Sequence, residues 1–171
     1  MSKRTPEFSR LVPLTRLSSE PYRQEIEATA EERQQLARRF DLIALDKLAA
    51  AVTLQRISGE LIRLEATFEA EFSQNCVVML EPLAGRVSQT FALLYGPIQK
   101  EQAEIDLDVD EPAFEPLTGD AIDIGEAVAQ ELSLTLPEFP RLPDAVIEVS
   151  ETAEPDDNPF AALERLRSKQ A

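Results

Sequence analysis

Between residues 61 and 72 apolar and polar positions alternate almost without fault. Ile62, Leu64, Ala66, Phe68, Ala70 and Phe72 are apolar, and Arg63, Glu65, Thr67, Glu69 and Glu71 stand between them. A period of two puts the two sets on opposite faces of a strand, one buried and one wet. Ser58-Gly59 separates this strand from residues 48–57 (LAAAVTLQRI), which read as its hairpin partner. A third strand, residues 87–95 (VSQTFALLY), follows Pro82 and Gly85. Three such strands in succession predict an antiparallel meander whose apolar face needs a covering layer.

Two stretches carry the helical period. In residues 29–40, Thr29 is an N-cap with Glu32 three residues on, the pattern of a capping box. Leu36 and Phe40 share a face with Ala37 beside them, and Arg38 and Arg39 fall in the last turn, where cations suit the helix dipole. In residues 123–134, Asp123 is the N-cap candidate and Glu126 the third-position acid. Ile124, Val128 and Leu132 form the apolar face with Ala127, and Pro137 and Pro140 end the helix. Residues 7–17 are extended, with Pro13 allowing an edge strand at best, and residues 21–26 form a second short extended piece. In residues 99–119, Ile105, Leu107 and Val109 alternate with Asp106, Asp108 and Asp110, as an acidic edge strand or a loop would. Residues 141–157 are rich in proline and acids and predict loose packing or disorder. Asn158 and Pro159 then open a short amphipathic segment with Phe160, Leu163 and Leu166 on one face. At about eleven residues it is too short to stand as an isolated helix.

These elements make an α+β fold: an antiparallel meander covered by two helices, with a partly disordered acidic C-terminal region. The domain expectation is one folded unit over residues 1–140 and a flexible acidic tail over 141–171, ending in the amphipathic segment. Composition agrees. The chain has 171 residues, 43% of them hydrophobic and 29% charged, with 5 Gly and 12 Pro. A folded part of this size buries roughly 65–70% of the surface its unfolded chain exposes. The start of the chain has basic residues but no apolar run behind them, and no stretch approaches a membrane span. A cytoplasmic protein is the expectation.

Charge divides the chain. Residues 1–100 are neutral, residues 101–157 carry 18 acids against Arg141, and residues 158–171 carry three bases against Glu164. An acidic block disfavours broad phosphate contact and suits a basic protein surface, or serves solubility alone. Direct RNA binding has thin support. Arg4, Arg10, Arg16, Arg23, Arg33, Arg38 and Arg39 concentrate in the first 40 residues with Lys3, but six acids lie among them.

Catalytic candidates are poor. The chain has no histidine and a single cysteine, Cys76, which excludes histidine bases, an intrachain disulfide and a paired-cysteine metal knuckle. Asp106/Asp108 and Glu69/Glu71 are the pairs a solvated acidic face also shows, with nothing nearby to separate their pKa values. Asp106 opens a superficial calcium-loop pattern, but Glu111 stands where that loop needs glycine and Leu117 where it needs glutamate. No catalytic, cofactor or metal residue is expected. Cys76 reads as a small buried apolar residue, since no cation lies beside it in sequence.

Three stretches together carry a family resemblance: Cys76 with Leu80-Glu81-Pro82, Ile122-Asp123-Ile124 through Leu136-Pro137, and Asn158-Pro159-Phe160-Ala161-Ala162-Leu163. In order and spacing, over roughly residues 10–168, the chain resembles the YceD-like family, the large ribosomal RNA subunit accumulation proteins of bacteria and plastids. Many members carry a Cys-x-x-Cys turn, commonly with Arg before the second cysteine; Val78 and Met79 stand there in this chain. A zinc or redox role of the paired turn therefore does not transfer. The resemblance implies a non-enzymatic factor in large-subunit ribosomal RNA accumulation and ribosome assembly. Its expected partner is a large-subunit precursor or a basic ribosomal protein, with direct ribosomal RNA binding as the alternative. The expected partner-binding residues are Asn158, Pro159, Phe160, Leu163 and Leu166; the other outcome for this segment is that it folds back on its own sheet.

Overall fold

The computed structural model describes residues 6–97 and 112–146. A short strand β1 (Leu11–Pro13) is followed by a 3-10 turn, β2 (Tyr22–Glu27) and helix α1 (Ala30–Arg39). Three fifteen-residue strands come next: β3 (Ala44–Ser58), β4 (Leu61–Asn75) and β5 (Pro82–Gly96). Two short strands, β6 (Ala113–Pro116) and β7 (Ala121–Asp123), lead into helix α2 (Ile124–Thr135).

The sheet order is β2-β3-β4-β5-β6. Its first four strands are antiparallel neighbours; the alternating pattern predicts this for β3, β4 and β5, and β2, read from the sequence only as a short extended piece, joins them at the edge. Gly59, at φ +53°, turns β3 into β4, a backbone conformation glycine adopts freely. Each long strand exceeds its predicted length. β3 starts at Ala44, because a register shift between Leu45 and Lys47 breaks the sequence alternation without ending the pairing. β5 starts at Pro82, opposite Asn75.

Two features depart from a plain meander. β6 pairs with β5 in parallel, Leu93 facing Ala113. β1 and β7 form a separate antiparallel ribbon with Pro13 opposite Ala121, the edge setting that a residue without an amide donor tolerates. The alternating residues 105–110 lie outside the described chain.

The apolar sides of the strands build one core. Leu48, Val52, Leu54, Leu64, Phe68 and Phe72 are buried on the sheet. Leu36 and Ala37 of α1 cover them, as do Ile124, Val128 and Leu132 of α2 and Phe8 of the N-terminal segment. Phe68 and Phe91 meet edge to face, their centroids 6.1 Å apart. Burial of each such side chain contributes about 1.5–3 kcal/mol.

The two helix starts are tied to the N-terminal segment. The predicted capping box at α1 is complete: the Glu32 amide donates to Thr29 Oγ1 (3.3 Å), and the Thr29 amide donates to Glu32 Oε2 (2.8 Å). Asp123 caps α2 by accepting from the Gly125 and Glu126 amides, and its Oδ1 also accepts from the Arg10 amide at 2.7 Å. The third-position acid of α2 has a different partner from the one its place suggests. Glu126 pairs with Arg39 at 2.8 Å, joining the last turn of α1 to the first turn of α2.

Candidate functional site

The open face of the sheet is well compensated. Lys47 Nζ meets Glu69 Oε2 at 2.8 Å, Arg86 Nε lies 3.6 Å from Glu71, and the hydroxyls of Thr67 and Thr90 share a hydrogen bond. A hydrogen bond from Lys47 and its charge hold the Glu69 carboxyl below its ordinary range. The Glu69/Glu71 pair is thus part of a solvated ion-pair face. Among the described residues, no group of three or more His, Cys, Asp or Glu converges as metal ligands would.

A different picture holds at the end of the sheet where β4 passes into β5. Cys76 is fully buried there. Its amide donates to the Glu81 carbonyl and its carbonyl accepts from the Leu80 amide, closing a tight turn. Its Sγ accepts from the Met79 amide at 3.5 Å and from the Leu142 amide at 3.4 Å. The Val77 amide donates to the Pro140 carbonyl, so the segment after α2 is stitched to this turn beyond residue 140. Burial matches the sequence expectation for Cys76. Its surroundings do not, because the two amides, with Arg141 brought close by the fold, lower the thiol's pKa against the desolvation that raises it. Leu142 and Arg141 are sixty residues and more away in sequence, and no local pattern announces them.

Around this turn opens a cleft of about 650 Å³. Phe40, Val77, Leu80, Leu134, Leu136 and Pro140 give it apolar walls, and Asp41 and Glu138 are its charged lining residues. Leu80 and Leu134 are 75% and 79% exposed, and Val77, Met79 and Phe139 add apolar surface nearby in sequence. Asp41 (φ +55°) and Leu80 (φ +58°) both line it, and they are the non-glycine residues with positive φ among the described residues. Strain of this kind gathers where a surface is shaped for use rather than for stability. The cleft also borders the end of α2, whose last turn carries no basic residue to offset its dipole.

Sequence reasoning missed this cleft. Its available signals were Leu134, off the apolar stripe of α2, and Phe139, an aromatic residue between two prolines. The expected partner-binding residues Asn158, Pro159, Phe160, Leu163 and Leu166 lie outside the described residues, as does the acidic pair Asp106/Asp108.

The fold and the cleft define a small α+β module whose distinctive feature is an exposed apolar surface. In a comparison with protein families, residues 64–167 match the family described as "Large ribosomal RNA subunit accumulation protein YceD". The match covers more than half of the chain, and the protein belongs to this family. Membership carries a general role in the accumulation of large-subunit ribosomal RNA. No curated protein and no solved structure matches the chain. Among the described residues no helix is long and apolar enough to cross a membrane.

Proposed function

We propose that this protein is a non-enzymatic factor that supports large-subunit ribosomal RNA accumulation and ribosome assembly by binding an assembly partner. The family match over residues 64–167 carries this reading. The partner it favours is a basic ribosomal protein or the large-subunit precursor that contains it. Residues 101–157 hold 18 acids against one arginine, a charge balance that attracts basic surfaces and repels bare phosphate. The terminal segment, with Phe160, Leu163 and Leu166 as anchors, supplies apolar contacts of the helix-in-groove kind.

Direct ribosomal RNA binding finds less support. Of the arginines concentrated in the first 40 residues, Arg10 is bound to Glu32 and Arg39 to Glu7 and Glu126. Arg33 donates to the Ala28 carbonyl. Guanidinium groups held by the protein's own acceptors are less available to phosphates.

Depletion of the protein, read by the ratio of large- to small-subunit ribosomal RNA and by a sedimentation profile, tests the proposal. A fall in the ratio with large-subunit precursors accumulating is the expected outcome. An unchanged ratio with a normal profile overturns it. Restoration by wild type but not by a chain carrying Phe160→Ala and Leu163→Ala, with the variant's thermal stability unchanged, assigns the partner contact to the terminal segment; an equal loss of thermal stability assigns these side chains to the protein's own fold.

A further inference from the structure

We propose that the cleft beside Cys76 is the docking site for the protein's own C-terminal amphipathic segment, residues 158–169. The inference concerns the free protein, in which the side chains that the proposed function offers to a partner lie in the cleft, so that partner binding competes with docking.

Three observations carry it. The first is where the described chain ends. Leu142 is tied to Cys76 Sγ, the Ala145 amide donates to the Leu142 carbonyl, and Val146 follows directly. The described residues therefore end four residues beyond Leu142, which is bonded to the cleft residue Cys76. Fourteen peptide units lead from Val146 to Phe160, a contour of about 45 Å, which is ample to bring the segment back to the cleft. A segment on such a tether is present at the cleft at an effective concentration in the millimolar range.

The second observation is chemical fit. The cleft presents the apolar walls of Leu80, Leu134, Leu136 and Phe40. Residues 158–169 offer Phe160, Leu163 and Leu166 at helical spacing. The third is charge. Asp41 and Glu138 line the cleft, and the last turn of α2 beside it has no cation. Residues 158–169 bring Arg165, Arg167 and Lys169 against Glu164. Cations at a helix C-terminus offset the partial negative charge of its free carbonyls. In this arrangement the apolar face of the segment fills the cleft and its basic residues meet the acidic rim. The Cys76 turn is then clamped from outside by the segment and from inside by Leu142.

Cys76 is the chain's single cysteine and thus a built-in reporter. The test compares the full-length wild-type chain with a full-length chain carrying Phe160→Ser, Leu163→Ser and Leu166→Ser. Backbone amide resonances of Val77, Leu80 and Leu134 are recorded, together with the rate at which a disulfide reagent modifies Cys76. A docked segment whose Kd is tenfold below its effective concentration slows opening of the turn about tenfold. The triple variant is therefore expected to react about tenfold faster, with resonance changes confined to the cleft, independently of protein concentration. Leu134→Ser attacks the same contact from the cleft side, at a residue already exposed, and is expected to accelerate the thiol likewise.

Unchanged rates and resonances in both variants overturn the proposal. Protection that grows with protein concentration, with a dimer mass by light scattering, also overturns it and assigns the cleft to a second copy's segment. A normal ribosomal RNA ratio on depletion would overturn the partner reading and leave this result untouched.

Discussion

Two regions of the molecule treat their side chains in opposite ways. At the junction of the N-terminal segment with the two helices, polar groups are densely partnered. Arg10 is bound to Glu32 at 2.7 Å and lies over the ring of Phe8. Its amide and the Ser9 hydroxyl donate to Asp123. Gly125 lets the Phe8 carbonyl approach so closely that an added Cβ would come 2.5 Å from it. At the Cys76 cleft, leucines are exposed, two backbones are held at positive φ and a helix end lacks a cation. The first region is built to hold the fold together, and the second leaves interaction capacity unspent. The difference teaches that function is to be sought where local rules are broken, not where they are satisfied.

The comparison predicts unequal costs. The largest belongs to the junction: Phe8→Ala removes a fully buried ring and is expected to cost about 3–5 kcal/mol in denaturant unfolding. A loss under 1 kcal/mol would mean that the N-terminal segment only lies on the surface.

A middle effect is expected from Glu32→Gln. The hydrogen bond from Arg10 holds the Glu32 carboxyl down at about 2, assisted by donors at Thr29 and opposed by desolvation. Its folded-state pKa is below the unfolded value, so its contribution is present above pH 4.5 and is lost as pH falls toward 2. With solvent screening, the pair contributes about 1–2 kcal/mol. Wild type should exceed the variant by that margin at neutral pH, and the gap should close between pH 4.5 and 2. A gap that stays constant with pH would assign the loss to shape rather than charge.

The smallest effect belongs to the cleft. Leu80→Gly relieves a left-handed backbone at an exposed side chain, and unfolding should show a gain of about 0.5 kcal/mol. A loss above 1 kcal/mol would make Leu80 a structural residue and weaken the contrast.

Much of the fold was legible before the structure. The alternation in 61–72 gives β4 because one buried face and one wet face leave a period of two in the sequence. Thr29 and Glu32 announce the start of α1 because a capping box is local chemistry. The family, too, was legible from the order of its motifs. The parallel pairing of β6 was not, since Ala113–Pro116 is short and its partner Leu93–Gly96 carries no mark of it. Nor was the partner of Glu126, because Arg39 is 87 residues away. The cleft was hidden for the same reason. Cys76, Leu134 and Leu142 each look ordinary in their own neighbourhoods, and only tertiary contact sets them together.

The parallel pairing of β6 with β5 has one more consequence. Gly96 ends β5 and Ala113 begins β6 beside Leu93, so residues 97–112 are joined at both ends to this margin of the sheet. Six of those sixteen residues are acidic and one is lysine. Both ends of this stretch are staked to neighbouring strands, so it is a leash rather than a streamer. Half its contour is about 25 Å, which bounds how far its charge can stray from the edge. The tether thus keeps six negative charges and one positive within that reach of one margin of the sheet, each felt over a Debye length of about 8 Å at physiological salt. Strand addition at that margin by a second copy of the chain meets like charge, while an incoming basic segment is drawn toward it.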